Sequence, residues 1–327
     1  MKLLVIGLGS MGKRRIGLLL KTFKDVELAG VDTSEERRGQ VKALYNINTY
    51  SSLKLAIETE NPYAVLVCTS PISHGSIILE SIREGLHVFS EINLLHNKYD
   101  EIIKEADKYN VMLFLSSTLL YRNEIQIIKN FVLEDKSKVN YRYHVGQYLP
   151  DWHPWEDYRN FFVGDKQTNG CREILAIDMP WIINTFGRIK DVKVIKDKIS
   201  SLEIDYPDNY LILLEHETGN KGVLIVDVVS RKAIRELLVY SENLYLTWDG
   251  SPNGLYKYDL SDKIMKNIKT YDNIQKDNKY SDNIIENAYL DELITFINKI
   301  RNNDNRERYT FEDDKYTLQI IDKIEGV

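Results

Sequence analysis

Gly7, Gly9 and Gly12 form a G-x-G-x-x-G motif with Ser10 and Met11 inside it, directly after the apolar run 3–6 and opening a helical pattern. In that context each glycine has a physical task. Gly7 permits a tight turn, Gly9 lets the backbone approach a pyrophosphate, Gly12 lets helix pack on strand, and the helix amino terminus stabilises the anion. Asp32 follows about 20 residues later, at the end of the second strand-like run, where a carboxylate accepts hydrogen bonds from both ribose hydroxyls. It would repel a 2′-phosphate, which favours NAD over NADP as cofactor, while Arg37 and Arg38 leave NADP open.

Positioning such a motif requires a particular architecture. Apolar runs at residues 3–6, 26–31, 64–68, 87–89 and 111–115 alternate with helical patterns such as 16–23, 76–83 and 99–109, the mark of repeated βαβ units and a doubly wound parallel sheet. From Val139 onward the texture changes. Val139, Tyr141, Tyr143 and Val145 alternate with Asn140, Arg142, His144 and Gly146, the period of a half-solvated strand. Further strand-like runs at 191–199, 210–216, 222–229, 234–240 and 244–248, with a turn at Thr218, Gly219 and Asn220, predict one open antiparallel sheet. Helices are predicted over 173–186, 284–300 and 315–324, and 261–282 reads as an exposed stretch without periodicity. The fold class is α/β, with an N-terminal dinucleotide-binding domain over 1–118 and a C-terminal α+β domain over 119–327 for substrate and oligomerisation.

Composition removes several function classes. The 327 residues carry 43 Lys+Arg against 49 Asp+Glu, a net charge of −6, which disfavours a nucleic-acid footprint. Two distant cysteines, Cys68 and Cys171, show no metal-ligand spacing, so no metal site is expected and a reducing cytoplasm fits. No apolar run approaches the roughly 18 residues of a membrane span, so no membrane partner is expected.

Four stretches sit together in a known order and spacing: residues 7–15 (GLGSMGKRR), 64–74 (AVLVCTSPISH), 85–91 (GLHVFSE) and the Tyr121-Arg122 pair. Through them nearly the whole chain resembles the glucose-fructose oxidoreductase, inositol dehydrogenase and MocA family. The resemblance implies an N-terminal Rossmann domain and a C-terminal open-sheet domain that forms homo-oligomers, dimers or tetramers. It also implies hydride transfer to or from a sugar, sugar acid or nucleotide-linked sugar. Carried over, Thr69, Pro71 and His74 line the nicotinamide side of the cofactor and Glu91 touches it, while Arg122 falls with the substrate-binding groups.

Two acid/base groups of that family are missing. Where it has Glu-Lys-Pro this chain has Glu91-Ile92-Asn93, and its helical acid-then-histidine pair falls on Glu173 and Ile177. A positioned base contributes roughly 10²- to 10⁴-fold to alcohol oxidation, so other residues must serve or the chemistry differs. Replacement candidates cluster in two places. Residues 144–159 pair the aromatic faces of Tyr148, Trp152, Trp155 and Tyr158, suited to a sugar ring, with His144, His153 and Arg159. Arg172 and Glu173 form the second cluster, with Asp178 beyond them; Arg172 reads either as an anchor for a substrate anion or as an ion pair to Glu173. Glu173, His153 and Tyr148 are the proton-transfer candidates, and Arg122, Trp152, Tyr158, Arg159 and Arg172 the substrate-binding ones. The competing expectations are a non-catalytic, NAD-binding regulator, and an enzyme that uses bound NAD to ease elimination or epimerisation.

Overall fold

The computed structural model describes residues 1–153, 156–276, 283–304 and 306–327. Trp155 and the end of the 261–282 stretch lie outside the described residues. The chain divides into two compact units, Met1–Ser117 with Tyr289–Lys315, and Thr118–Ala288 with Tyr316–Val327. The segment Tyr289–Lys315, assigned above to the second domain, therefore packs in the first. Its Glu292 is fully buried and receives hydrogen bonds from Arg15 Nη2 at 2.7 Å and Ser116 Oγ at 2.9 Å.

In the first unit β1 (Lys2–Ile6), α1 (Ser10–Thr22), β2 (Glu27–Val31), α2 (Glu35–Tyr45), β3 (Asn48–Tyr50), α3 (Leu53–Glu60), β4 (Ala64–Val67), α4 (Pro71–Arg83), β5 (His87–Ser90), α5 (Tyr99–Tyr109) and β6 (Leu113–Leu115) alternate. The sheet order is β3-β2-β1-β4-β5-β6, with every pair parallel. Leu3, Leu4 and Val5 are wholly buried because helices cover both faces, which is why β1 reads as an unbroken apolar run. The order reverses between β1 and β4, the switch point at which doubly wound sheets bind ligands, and the Gly7 turn leaves β1 there.

The second unit contains α6 (Asn123–Glu134), β7 (Asn140–Gly146), α7 (Gly170–Phe186), β8 (Ile189–Asp197), β9 (Asn209–His216), β10 (Lys221–Asp227), β11 (Ile234–Tyr240), β12 (Tyr245–Trp248), β13 (Leu255–Asp259) and β14 (Ile264–Asn267). Helices α8 (Glu286–Asn302) and α9 (Phe311–Glu325) complete the chain. The eight-stranded sheet runs β14-β13-β12-β11-β7-β10-β9-β8. It is mainly antiparallel, as expected, with β7 and β10 pairing in parallel. The exposed stretch after Ser261 contains β14, an edge strand whose four residues are all exposed, so no alternation betrays it.

Register sorts the side chains onto two faces. Ile212, Leu224, Tyr143, Leu237, Trp248 and Leu255 form one buried row across neighbouring strands. The adjacent row on the other face, through Leu213, Val223, Arg142, Leu238, Thr247 and Tyr256, is open. Helix α7 is apolar almost all round, and only Glu173, Ile177, Ile183 and Asn184 escape burial on it.

Candidate active site

The glycine turn is built as its chemistry requires. Gly7 has φ +91°, and a Cβ there would lie 2.6 Å from the Cys68 carbonyl oxygen. A Cβ on Gly12 would lie 1.9 Å from the Gly7 carbonyl oxygen, whereas one on Gly9 would meet nothing within 4 Å. Thus Gly7 and Gly12 are forced by protein packing, and Gly9 keeps open the space in front of α1. Gly9, at the N-cap of that helix, has no side chain to cap it. Asp32 is 8% exposed, and its carboxylate accepts the Leu8 N–H and the Ser34 N–H, each at 2.8 Å, so it is locked between the glycine turn and the start of α2. Arg38 donates to the Asp32 and Thr33 carbonyls, while Arg37 stays largely exposed with Nη1 3.9 Å from Asp32. An open glycine at a helix terminus and a fixed carboxylate at the switch point fit the pyrophosphate and ribose of a dinucleotide.

Two residues carried over as cofactor contacts have other work. His74 is 1% exposed; Nδ1 lies 2.7 Å from Asn93 Oδ1 and Nε2 lies 2.8 Å from the Thr69 carbonyl oxygen. With both ring nitrogens engaged, and burial pushing its pKa below the usual imidazole value, His74 shapes the β4–α4 turn instead of offering a nitrogen to a ligand. Thr69 shares a hydroxyl hydrogen bond with Ser73 at 2.8 Å, and Pro71 occupies the first position of α4. Glu91 receives Arg15 Nε and Nη2 at 2.6 and 3.3 Å, so both carboxylate oxygens face the wholly buried guanidinium. Desolvation raises the pKa of Glu292, which Arg15 also holds.

In the second unit the expected arginine anchors are consumed internally. Arg122 pairs with Glu124, donates to the Asn283 carbonyl and lies over the Trp248 ring. Arg159 is held by Asp157 and Glu203. Arg172 pairs with Asp322 at 2.7 Å and with Glu325, both on α9, and not with Glu173. Each of these three guanidiniums, read above as a substrate anchor, faces at least one carboxylate of its own unit. The Tyr158 hydroxyl accepts the Glu203 N–H at 3.0 Å, and Trp152 Nε1 donates to the Gln147 carbonyl at 3.1 Å, fixing both rings to the loop. His153 leans on Phe161 with ring centroids 4.5 Å apart, and burial lowers its pKa. His144 lies 2.7 Å from Asp227, whose pKa is lowered despite burial because His144, Ser230 and backbone N–H groups hold its charge.

Glu173 stands apart. It lies in the first turn of α7, part-exposed as a residue, yet its Oε2 is shielded from solvent and has no hydrogen-bond partner. Desolvation raises its pKa from 4.5 to about 7, the poise wanted of a group that takes and returns protons near neutrality. A Cβ on Gly170, the first residue of α7, would touch Leu149 at 3.0 Å, Val228 at 3.0 Å and Trp152 at 3.5 Å. The turn carrying Glu173, the loop carrying Tyr148, Trp152 and His153, and the segment after β10 therefore converge within this unit.

Residues 1–117 match the family described as "Oxidoreductase family, NAD-binding Rossmann fold". The N-terminal domain belongs to the glucose-fructose oxidoreductase, inositol dehydrogenase and MocA family. Among curated proteins, myo-inositol 2-dehydrogenase of Thermotoga maritima is 31% identical over 140 residues, which span 40% of this chain and 40% of that protein. Biliverdin reductase from Synechocystis, solved with biliverdin and NADP+, superposes with a TM-score of 0.79 at 14% identity over 99% of this chain and 98% of that one. WlbA dehydrogenase from Chromobacterium violaceum, solved with NADH and UDP-GlcNAcA, gives 0.79 at 14% identity over 99% and 92%. These two likenesses show the shared fold alone, a parallel Rossmann-like sheet and a separate, mostly antiparallel sheet.

Arg15, Asn169, Arg231 and Glu325 escaped sequence reading. Asn169 had a local signal, as an N-cap three residues before Arg172; the partners of Arg15 and Glu325 are remote in the chain and that of Arg231 is aromatic, so no local spacing signals them.

Proposed function

We propose that this chain is an NAD(P)-dependent oxidoreductase that moves hydride to or from a hydroxyl-bearing carbon of a sugar, sugar acid or nucleotide-linked sugar. The observation that carries the reading is Glu173, with a shielded, unpartnered carboxylate oxygen and a pKa of about 7 in a chain whose other unit holds an open dinucleotide cradle. When bound in that cradle, NAD supplies the hydride acceptor. Gly9 and the amino end of α1 would hold its pyrophosphate, and Asp32 its ribose. The hydroxyl proton passes to the Glu173 carboxylate as the carbon–hydrogen bond breaks, and returns from it in the reverse direction. Glu173 thereby takes the place of the family lysine and histidine, for which Ile92 and Ile177 supply no titratable proton. Its desolvated oxygen gains most from accepting that proton, since ionisation there goes unrelieved by any hydrogen bond. His153 is the second proton carrier on the converging loop, and Trp152 and Tyr148 the ring-facing surfaces.

The free thiols Cys68 and Cys171 suit a reducing cytoplasm. No helix among the described residues is long and apolar enough to cross a membrane.

Ile92 and Ile177 also favour a second reading, a non-catalytic NAD-binding member of the family. Calorimetric titration with NAD and NADP, followed by a substrate screen on wild type and Glu173→Gln, separates the two. Dinucleotide binding with turnover that falls about 10²-fold or more in the variant supports the enzyme. Dinucleotide binding without turnover of any sugar supports the regulator, and no binding of either dinucleotide removes both.

A further inference from the structure

Arg122, Arg159, Arg172 and Arg235 each face carboxylates of their own unit: Glu124, Asp157 with Glu203, Asp322 with Glu325, and Asp178. One arginine beside the convergence at Gly170 is not neutralised. Arg231 is exposed and forms no ion pair among the described residues; its guanidinium carbon sits 3.6 Å from the centroid of the Tyr148 ring. Lys232 follows it, also exposed.

Its mounting is rigid. The Tyr148 N–H donates to the Ser230 carbonyl at 2.7 Å and the Leu149 N–H to the Val228 carbonyl at 3.0 Å, so 147–149 and 228–230 run side by side. Asp227 then fastens the bend before Arg231, accepting the Val229 N–H at 3.0 Å, the Ser230 N–H at 2.7 Å and the Ser230 hydroxyl at 3.0 Å. A guanidinium stacked on an aromatic face keeps its in-plane N–H edges directed outward, in the fork that matches two oxygens of a carboxylate or phosphate. Much of the ordering entropy of a long arginine side chain is already spent by the stack. Val228 and Leu149, whose side chains border the position a Cβ on Gly170 would take, place this fork near the turn bearing Glu173.

We infer that Arg231, held on Tyr148, is the specificity-determining residue that grips an oxyanion of the substrate, so that the substrate is an anionic sugar and not a neutral polyol. The inference rests on the oxidoreductase reading only in assigning that anion to the substrate. The oxyanion is a sugar carboxylate or the diphosphate of a nucleotide sugar.

Calorimetry of the full-length, NAD-loaded protein with UDP, UDP-N-acetylglucosamine, D-glucuronate and neutral myo-inositol tests it, with Arg231→Ala, Arg231→Lys and Arg188→Ala beside wild type. Arg188 is likewise an exposed arginine over a tyrosine ring, that of Tyr316, and controls for bulk charge. The expected result is saturable binding of at least one anion, weakened about 10- to 100-fold by Arg231→Ala, only partly restored by lysine, and unchanged in Arg188→Ala. Binding of UDP without glucuronate assigns the diphosphate, and the converse assigns the carboxylate. Equal anion affinity in Arg231→Ala, equal loss in Arg188→Ala, or tighter binding of myo-inositol than of every anion overturns the inference, as does a wild type that binds no anion. Failure of the oxidoreductase reading shows separately, as absence of NAD binding in the preceding titration or of turnover in the substrate screen.

Discussion

Ionising Glu173 works against the fold. Its carboxyl is held at about 7 against an ordinary 4.5, so the folded state binds its proton more tightly than the unfolded chain does. The stability it contributes is fully present below the ordinary value and is lost as pH rises through about 7. Glu173→Gln is expected to stabilise the protein at pH 8 by on the order of 1–3 kcal/mol and to change little at pH 4, read from urea midpoints at the two pH values. If Glu173 accepts the substrate proton, the oxidation rate of wild type rises with pH through about 7, and that limb disappears in the variant. Gly12 offers a purely steric test at the same scale. Gly12→Ala places a methyl 1.9 Å from the Gly7 carbonyl oxygen, for an expected loss of about 1–3 kcal/mol and at least tenfold weaker NAD binding.

At the scale of elements, α7 is defined by how its first turn is held. Asn169 caps it, accepting the Arg172 N–H at 2.7 Å and donating to Glu325 at 2.7 Å, while the Arg172 side chain reaches Asp322 and Glu325. Glu325 on α9 therefore bridges the cap residue and the neighbour of Glu173. Removing it takes from the buried Arg172 one of the two carboxylates it pairs with on α9. Glu325→Ala is expected to lower stability by about 3 kcal/mol, measured by chemical denaturation. As the turn frays and water reaches Glu173, the Glu173 pKa falls toward its ordinary value, readable by carbon-13 NMR of labelled glutamate. The first unit has a matching device in Arg15, which joins Glu91 after β5 to Glu292 of α8.

At the scale of the molecule, the eight-stranded sheet leaves one face uncovered. Ile195, Leu211, Leu213, Val223, Tyr240, Tyr245 and Tyr256 all lie substantially in solvent on its strands, and register aligns Leu213, Val223 and Tyr256 in one row. We propose that this face pairs with a second copy of the chain, since several large apolar side chains exposed on one sheet face mark an association site. Sedimentation velocity is expected to show a homo-oligomer that Leu213→Glu converts to monomer; a wild-type monomer at micromolar concentration would refute it.

Local signals carried much of this protein. The glycine spacing, Asp32, the buried runs of the parallel sheet and the alternation of β7 are all local, because periodicity and turn sterics act over a few residues. Glu173 stood out through its match to a family position, but its poise near neutrality comes from desolvation, which a spacing cannot display. The structural histidine His74 and the pairs Arg122–Glu124 and Arg159–Asp157 had partners close in sequence; what hid them was burial and side-chain direction. Arg172 with Glu325, Arg15 with Glu292, the return of Tyr289–Lys315 to the first unit and the edge strand β14 lay beyond local reading. Sequence by itself determined the buried strands of the parallel sheet and the glycine turn after β1, since those follow from backbone sterics and hydrophobic period. Only tertiary structure decided which charges are spent on the fold and which remain for a ligand, because the electrostatics of a side chain belong to its neighbours in space.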